Sequence, residues 1–344
     1  MFLNSLRRAW WVGRSRILRR YYPIHGAVLG RVRRNQYVRE YIIGRDPCRG
    51  SSSGAVFCHY DRYGMVHDYV EYYLKCLRDA GFRIYFVTNA PYLNEEALGR
   101  VIPLCSKVIR RTNFGHDFGA YKEGILAIPD RQELARLLIA NDSVYGPLKP
   151  IELSLDAMTP EHADVWALTD SFEIKYHLQS YFILFHRAAL QSVEFERFWK
   201  QLPFVGLKGW VIHQAEVGLS QRLLAAGIRL KARFPYEEVT RKFCQMLRDS
   251  RALSREDVRL EHRKHLQNLL NAVEAGIPLN PTHFFWEVLI GHMGLPFIKR
   301  DLLEHNPAHI AGVSHWRELI QANSPYDLDL ISSHQKLRLK DRSI

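Results

Sequence analysis

The sequence predicts an α/β domain with a mainly parallel sheet. Three observations predict it. Short apolar runs of strand character alternate with segments of helical spacing from residue 54 to about residue 235. An apolar fraction of 47% beside 24% charged residues is that of an ordinary globular chain with an ample core. One apolar run, Leu137-Leu138-Ile139-Ala140, ends abruptly in the polar triplet Asn141-Asp142-Ser143, as a buried strand does when it reaches a sheet edge.

The elements follow in order. Arg49-Gly50-Ser51-Ser52-Ser53-Gly54 is a small-residue linker, so a boundary is placed at residue 50. Ala55 to Tyr60 reads as a buried strand with Asp61-Arg62-Tyr63-Gly64 as its exit loop. Val66, Tyr69, Val70, Tyr73, Leu74 and Leu77 have helical spacing, and Gly81 stops that helix. Arg83 to Thr88 is a second strand, and Asn94-Glu95-Glu96 an N-cap with acids in the first turn. Lys107 to Arg111 is a third strand, followed by a glycine-marked loop and a helix to about Ile128. Strands are further expected over Arg136 to Ala140, Asp164 to Thr169, Ser180 to Phe185 and Ile228 to Ala232, with helices around Phe195–Leu202 and from Trp210 to Ala226. Residues 241–275 and 280–305 are helix-prone. The expected division is a basic arm (1–50), the α/β domain (51–240) and a helical C-terminal subdomain (241–344).

Charge is unevenly placed. Residues 1–50 hold twelve arginines against Glu40 and Asp46, which accounts for ten of the chain's twelve net positive charges. Trp10, Trp11, Leu6, Ile17, Leu18, Tyr21 and Tyr22 interleave with them. That composition suits an interfacial helix, with apolar groups at the headgroup boundary and guanidinium groups on anionic phosphates. An anionic membrane surface is therefore the expected partner of residues 1–45, ahead of a helix packed on the parent domain. Nucleic acid is not expected, because no nucleic-acid motif accompanies the charge. No run of 18 uncharged apolar residues and no apolar secretory segment occurs, so a cytoplasmic protein is expected, peripheral at the inner face of the plasma membrane. Cys48, Cys58, Cys76, Cys105 and Cys244 lack CxxC spacing and read as reduced thiols, with neither zinc nor disulfides.

The chemistry-bearing residues cluster at predicted strand ends. Asp142 can hold a divalent cation, Mg²⁺ or Mn²⁺, against a diphosphate. In Asn113-Phe114-Gly115-His116-Asp117-Phe118-Gly119, the glycines allow close backbone approach, and Asn113 and His116 can bond sugar hydroxyls. Asp117 is either a sugar-binding acid or a helix N-cap, and Lys122 faces either phosphate or solvent. Together these suggest a nucleotide-sugar site. Asp170, Glu173, His177 and Gln179 lie between two strands and suit acceptor recognition, or form a polar hairpin. An inverting sugar transfer needs a base, for which Glu216 and Asp170 are the candidates. His213 is a weaker candidate for a metal ligand.

The runs Thr112–Lys122, Asn141-Asp142-Ser143-Val144-Tyr145-Gly146-Pro147, Trp166–Ser171, His177–Phe182, Asn280–Trp286 and Pro296–Arg300 resemble the rhamnan synthesis protein F family. The resemblance covers roughly residues 54–310. It implies a GT-A-like (Rossmann-like) nucleotide-sugar fold and a glycosyltransferase, a rhamnosyltransferase using dTDP-rhamnose, acting on a lipid-linked glycan in bacterial surface polysaccharide synthesis. It further implies that Tyr60 and Asp61 meet the nucleotide base. It aligns Asn113 and Gly115 with a sugar-binding loop, Asn141 and Asp142 with the strand-end acid motif, and Glu216 with the base. Asn141 stands where that motif has its first acid. This departure keeps open a second reading, a catalytically degenerate scaffold at the membrane. A nucleotide-cofactor reductase ranks last, since no GxGxxG follows the first strand.

Overall fold

The computed structural model describes residues 37–46, 48–250 and 260–340. Residues 1–36 of the expected membrane-binding segment 1–45 lie outside the described residues.

The strands are β1 (Val38–Ile43), β2 (Ser53–His59), β3 (Arg83–Thr88), β4 (Lys107–Arg111), β5 (Arg136–Asn141), β6 (Val144–Tyr145), β7 (Val165–Ser171), β8 (His177–Leu178), β9 (Phe182–His186), β10 (Leu230–Phe234) and β11 (Ile298–Lys299). The longer helices are α1 (Asp68–Asp79), α2 (Glu95–Val101), α3 (His116–Leu126), α4 (Val193–Gln201), α5 (Val217–Ala225), α6 (Tyr236–Ser250), α7 (Leu260–Glu274), α8 (Trp316–Asn323) and α9 (Asp329–Lys340). The main sheet runs β1-β4-β3-β2-β5-β9-β7-β10, with β8 on β7. Strands β4, β3, β2 and β5 pair in parallel, as do β7 and β10, while β1 and β9 run against their neighbours. The mainly parallel α/β sheet is as the sequence predicts.

Local chemistry explains the elements. Tyr69, Val70, Tyr73, Leu74 and Leu77 bury one stripe of α1. Gly81, at φ +83°, ends it, and Phe82 N–H closes on the Leu77 carbonyl at 3.0 Å. The Asn94 side chain caps α2 by accepting from Ala97 N–H at 2.7 Å. β2 is buried along its whole length because helices cover both faces of the parallel sheet.

Three expectations are corrected. The boundary at residue 50 falls inside the fold. Val38–Ile43 is an edge strand antiparallel to β4, and its exposed Arg39 and Glu40 had hidden it among the charges of the arm. The predicted helix from Trp210 to Ala226 is not uniformly α-helical: Val211–Glu216 forms a π-helical stretch before α5. The C-terminal region is no separate subdomain either. One buried cluster runs from Phe57 and Tyr73 through Phe297 to Ile331, and β11 pairs antiparallel with β6. Phe297 packs on Tyr73 and Phe182, tying the tail to the sheet.

Candidate active site

Because β2, β5 and β7 are parallel, their ends present Tyr60, Asn141-Asp142 and Ser171 at one sheet edge, where the chain also enters β9 through Gln179 and Ser180. A cleft of about 550 Å³ opens there. Tyr60, Asn113, His116, Asp117, Asn141, Gln179 and Glu216 line it.

The loop before α3 is held from below. Arg111 is fully buried and donates to Asn89 Oδ1 at 2.6 Å and to the Phe114 carbonyl at 2.5 Å. Gly119 lies so close that a Cβ there would sit 2.8 Å from the Arg111 guanidinium and from the Phe114 oxygen. Gly115 adopts φ +92° and His116 φ +50°, so the loop turns through left-handed backbone on the cleft wall. His116 Nε2 meets the Gly206 carbonyl at 3.1 Å. Lys122 faces neither ligand nor open solvent: its ammonium donates to the Leu202 carbonyl at 2.7 Å, at the end of α4.

Asp117 is not a cap, since Gly115 occupies that position and no side chain caps α3. Its Oδ2 accepts from Asn141 Nδ2 at 3.1 Å and its Oδ1 from the Cys58 thiol at 3.6 Å. Desolvation, then the neighbouring Asp142 charge, push its carboxyl above the usual range. Asn141 Oδ1 in turn accepts from the Ser143 backbone at 3.1 Å and its hydroxyl at 2.6 Å. An amide here serves both neighbours, donating to a carboxylate on one side and accepting on the other.

Asp142 is engaged from two sides. Its Oδ2 accepts from Tyr60 N–H at 3.2 Å and from Arg300 Nη1 at 3.2 Å. The same Arg300 nitrogen reaches the Asp142 carbonyl at 2.8 Å and the Tyr69 hydroxyl at 2.5 Å. The expected divalent cation does not fit this donor set: the carboxylate already carries a guanidinium, and Asn141 offers no acid beside it. Among the described residues, no group of three or more His, Cys, Asp or Glu side chains is arranged to hold a metal ion.

Glu216 closes the π-helical stretch, and its Oε1 accepts from the Ser180 backbone at 2.9 Å and from the Ser180 hydroxyl at 2.7 Å. Two donors fix the carboxylate at the cleft wall.

Other candidates are placed elsewhere. Side chains alternate along β7, so Thr169 turns to Gln179 (2.6 Å) and Tyr181 (2.9 Å), while Asp170 faces a second depression with Trp166, Phe172 and Tyr176. Asp170 accepts from Tyr236 N–H at 2.7 Å, and burial raises its carboxyl to about 6. It does not line the cleft. Asp61 staples its own loop. Burial opposes its ionisation, but bonds from His67, Met65 N–H and Tyr63 N–H overcome this and hold the carboxyl at about 2. Asp61 does not line the cleft. His177 is buried against the Lys175 carbonyl at 2.8 Å, and His213 does not line the cleft. Glu173 is exposed beside the rim and accepts from Asn280 Nδ2 at 3.2 Å, while Gln179 donates to Asn280 Oδ1 at 3.3 Å. Of the four residues expected to suit acceptor recognition, only Gln179 lines the cleft.

Sequence reasoning assigned no role to Lys299, Arg300 or Asn280. The positions of Lys299 and Arg300 depend on the β6–β11 pairing across roughly half the chain, and no local signal announces it.

Comparison with known proteins completes the picture. The profile of the family described as rhamnan synthesis protein F matches residues 84–272, more than half of the chain. The uncharacterised protein y4gN of Sinorhizobium fredii is 26% identical over 224 residues, which cover 62% of this chain and 58% of that protein. The chain thus spans less than two thirds of the length of that relative. Virulence protein VirA of Vibrio anguillarum is 28% identical over 259 residues, covering 74% of this chain and 80% of that protein. Among solved structures, the glycosyltransferase GlyE of Streptococcus pneumoniae superposes with a TM-score of 0.42 at 10% identity, covering 84% of this chain and 64% of that one. The chain belongs to the rhamnan synthesis protein F family.

Proposed function

We propose that the protein is an inverting glycosyltransferase that moves a sugar from a nucleotide donor to a glycan hydroxyl. The observation that carries this reading is the strand-end cleft, in which Glu216, clamped by Ser180, shares one wall with the Asn113–Asp117 loop and Asn141. In the reaction, the acceptor oxygen forms a bond to the anomeric carbon while the bond from that carbon to the diphosphate oxygen breaks. The diphosphate leaves with the electron pair, and Glu216 takes the acceptor proton. Asn113 and His116 offer polar groups to the donor sugar, and Tyr60, half-exposed at the rim, an aromatic face to the base. The family's description, rhamnan synthesis, supports rhamnose as the sugar; dTDP-rhamnose as donor and a lipid-linked glycan as acceptor complete the proposal.

The test is transfer from a panel of nucleotide sugars, dTDP-rhamnose included, followed by mass spectrometry. Glu216→Gln is expected to keep donor affinity and lose about 10²- to 10⁴-fold in kcat. An unchanged rate would remove Glu216 as base, and no binding of any donor would remove the reading. Asn141, in place of a first acid, favours one alternative, a degenerate transferase-like scaffold. Donor binding without turnover on any acceptor would select it.

A further inference from the structure

The cleft has a cationic wall that none of the roles above uses. Lys299 ends β11, whose register sets it opposite Val144, immediately after the Asn141–Ser143 triplet. Arg300 N–H donates to the Ser143 carbonyl at 3.0 Å, so the pairing continues through the turn. This places two successive basic side chains at the tip of β5. Both line the cleft that Asn141 and Glu216 also line.

The two cations are held differently. Arg300 is locked: Asp142 carboxylate, Asp142 carbonyl and Tyr69 hydroxyl all accept from one of its nitrogens, and Glu304 lies 3.5 Å from Nε. Lys299 is loosely held. Its ammonium lies 4.1 Å from the centre of the Tyr181 ring, and among the described residues its hydrogen-bond contact is a long one, 3.4 Å, to the Ser143 hydroxyl. An ammonium in such a place is a compact charge that can turn toward an anion.

We propose that Lys299, positioned by the Arg300–Asp142 pair, neutralises the donor's diphosphate in the place where a divalent cation would otherwise bridge strand-end acids to it. The inference rests on the donor reading of the cleft and specifies how that donor is held. Arg300 removes Asp142 as a repulsive charge and as a metal ligand in one contact. Lys299 then faces the diphosphate, on which negative charge grows as the bond to the sugar breaks. Desolvation lowers the Lys299 ammonium to about 8, with Glu216 and Asp117 opposing the shift, so the side chain remains mostly charged at neutral pH.

The experiment is calorimetric titration of dTDP, UDP and GDP into the full chain, in EDTA and separately in Mg²⁺ or Mn²⁺. The preferred nucleotide is expected to bind in EDTA within about twofold of its affinity with metal. Lys299→Gln should weaken it about 10- to 100-fold, as loss of a charge-assisted contact does, and Lys299→Arg should restore most of it. Melting curves of both variants establish that they fold. Binding seen only with added metal, or binding unchanged in a folded Lys299→Gln variant, would overturn the proposal while leaving the donor site intact. Absence of binding under every condition would overturn the donor reading and this inference with it.

Discussion

Replacing Asn141 by aspartate would restore the first acid of the strand-end motif, and the structure predicts that the protein resists it. Asn141 Nδ2 lies 3.1 Å from Asp117 Oδ2. Two unit charges at that separation, in surroundings of effective dielectric about 20, repel by about 5 kcal/mol. The folded protein can limit this by binding one proton across the pair, which at pH 7 costs about 4 kcal/mol for a carboxyl of ordinary pKa. Allowing for relaxation into the cleft, Asn141→Asp should lose about 2 to 4 kcal/mol of stability at pH 7. The sign follows from linkage. The pair's folded-state pKa is raised above its unfolded value, so the folded state holds the extra proton between the two. Stability therefore falls as pH rises through that window and is recovered on acidification, by about 1.4 kcal/mol per pH unit. The assay is urea denaturation followed by circular dichroism at pH 5, 6, 7 and 8, with Asn141→Ala as control. That control loses the amide donor without adding charge and should cost about 1 to 2 kcal/mol with little pH dependence. A penalty for Asn141→Asp that is equal at pH 5 and pH 8, or no larger than that of Asn141→Ala, would refute the reasoning.

Two further predictions concern the scaffold and the arm. A Cβ at Gly124 would lie 2.3 Å from Val56 Cγ1 and 2.9 Å from Val87 Cγ2, on two buried strands. Gly124→Ala should therefore destabilise by about 1 to 3 kcal/mol despite the better helix propensity of alanine; a higher melting temperature would show that α3 can lift off the sheet freely. The arginine-rich segment is proposed to bind anionic membranes. Its deletion should stop at residue 36, because Val38–Ile43 belongs to the sheet. The truncated protein should lose flotation with anionic vesicles yet keep nucleotide affinity, and undiminished flotation would refute the membrane role.

Much of the scaffold was legible because its signals are local. β3 and β4 fall where their apolar runs predict, and Asn94 caps α2 as its position before two glutamates suggests. β1 was not legible, since an edge strand needs no apolar face on its open side. At the site, Glu216 rested mainly on the family resemblance, whereas the Asn113–Asp117 loop and Asn141 stood out as polar residues at the ends of apolar segments. Asp170 stood out for the same reason, but a period of two residues decides which face a strand side chain takes, and a strand end fixed to within one residue leaves that undecided.

The sequence alone determined the class of sheet, the edge at which its polar tips gather and the family to which the chain belongs. Alternating periodicities, turn residues and strand-end polarity are all encoded within a few neighbouring residues. Only the tertiary structure decided what each tip residue touches. Asp142 meets Arg300 across 158 positions, and Lys299 reaches the cleft through a two-residue pairing of β11 with β6. Such contacts are set by the packing of Phe297 and its neighbours against the sheet, a long-range choice that no local pattern records.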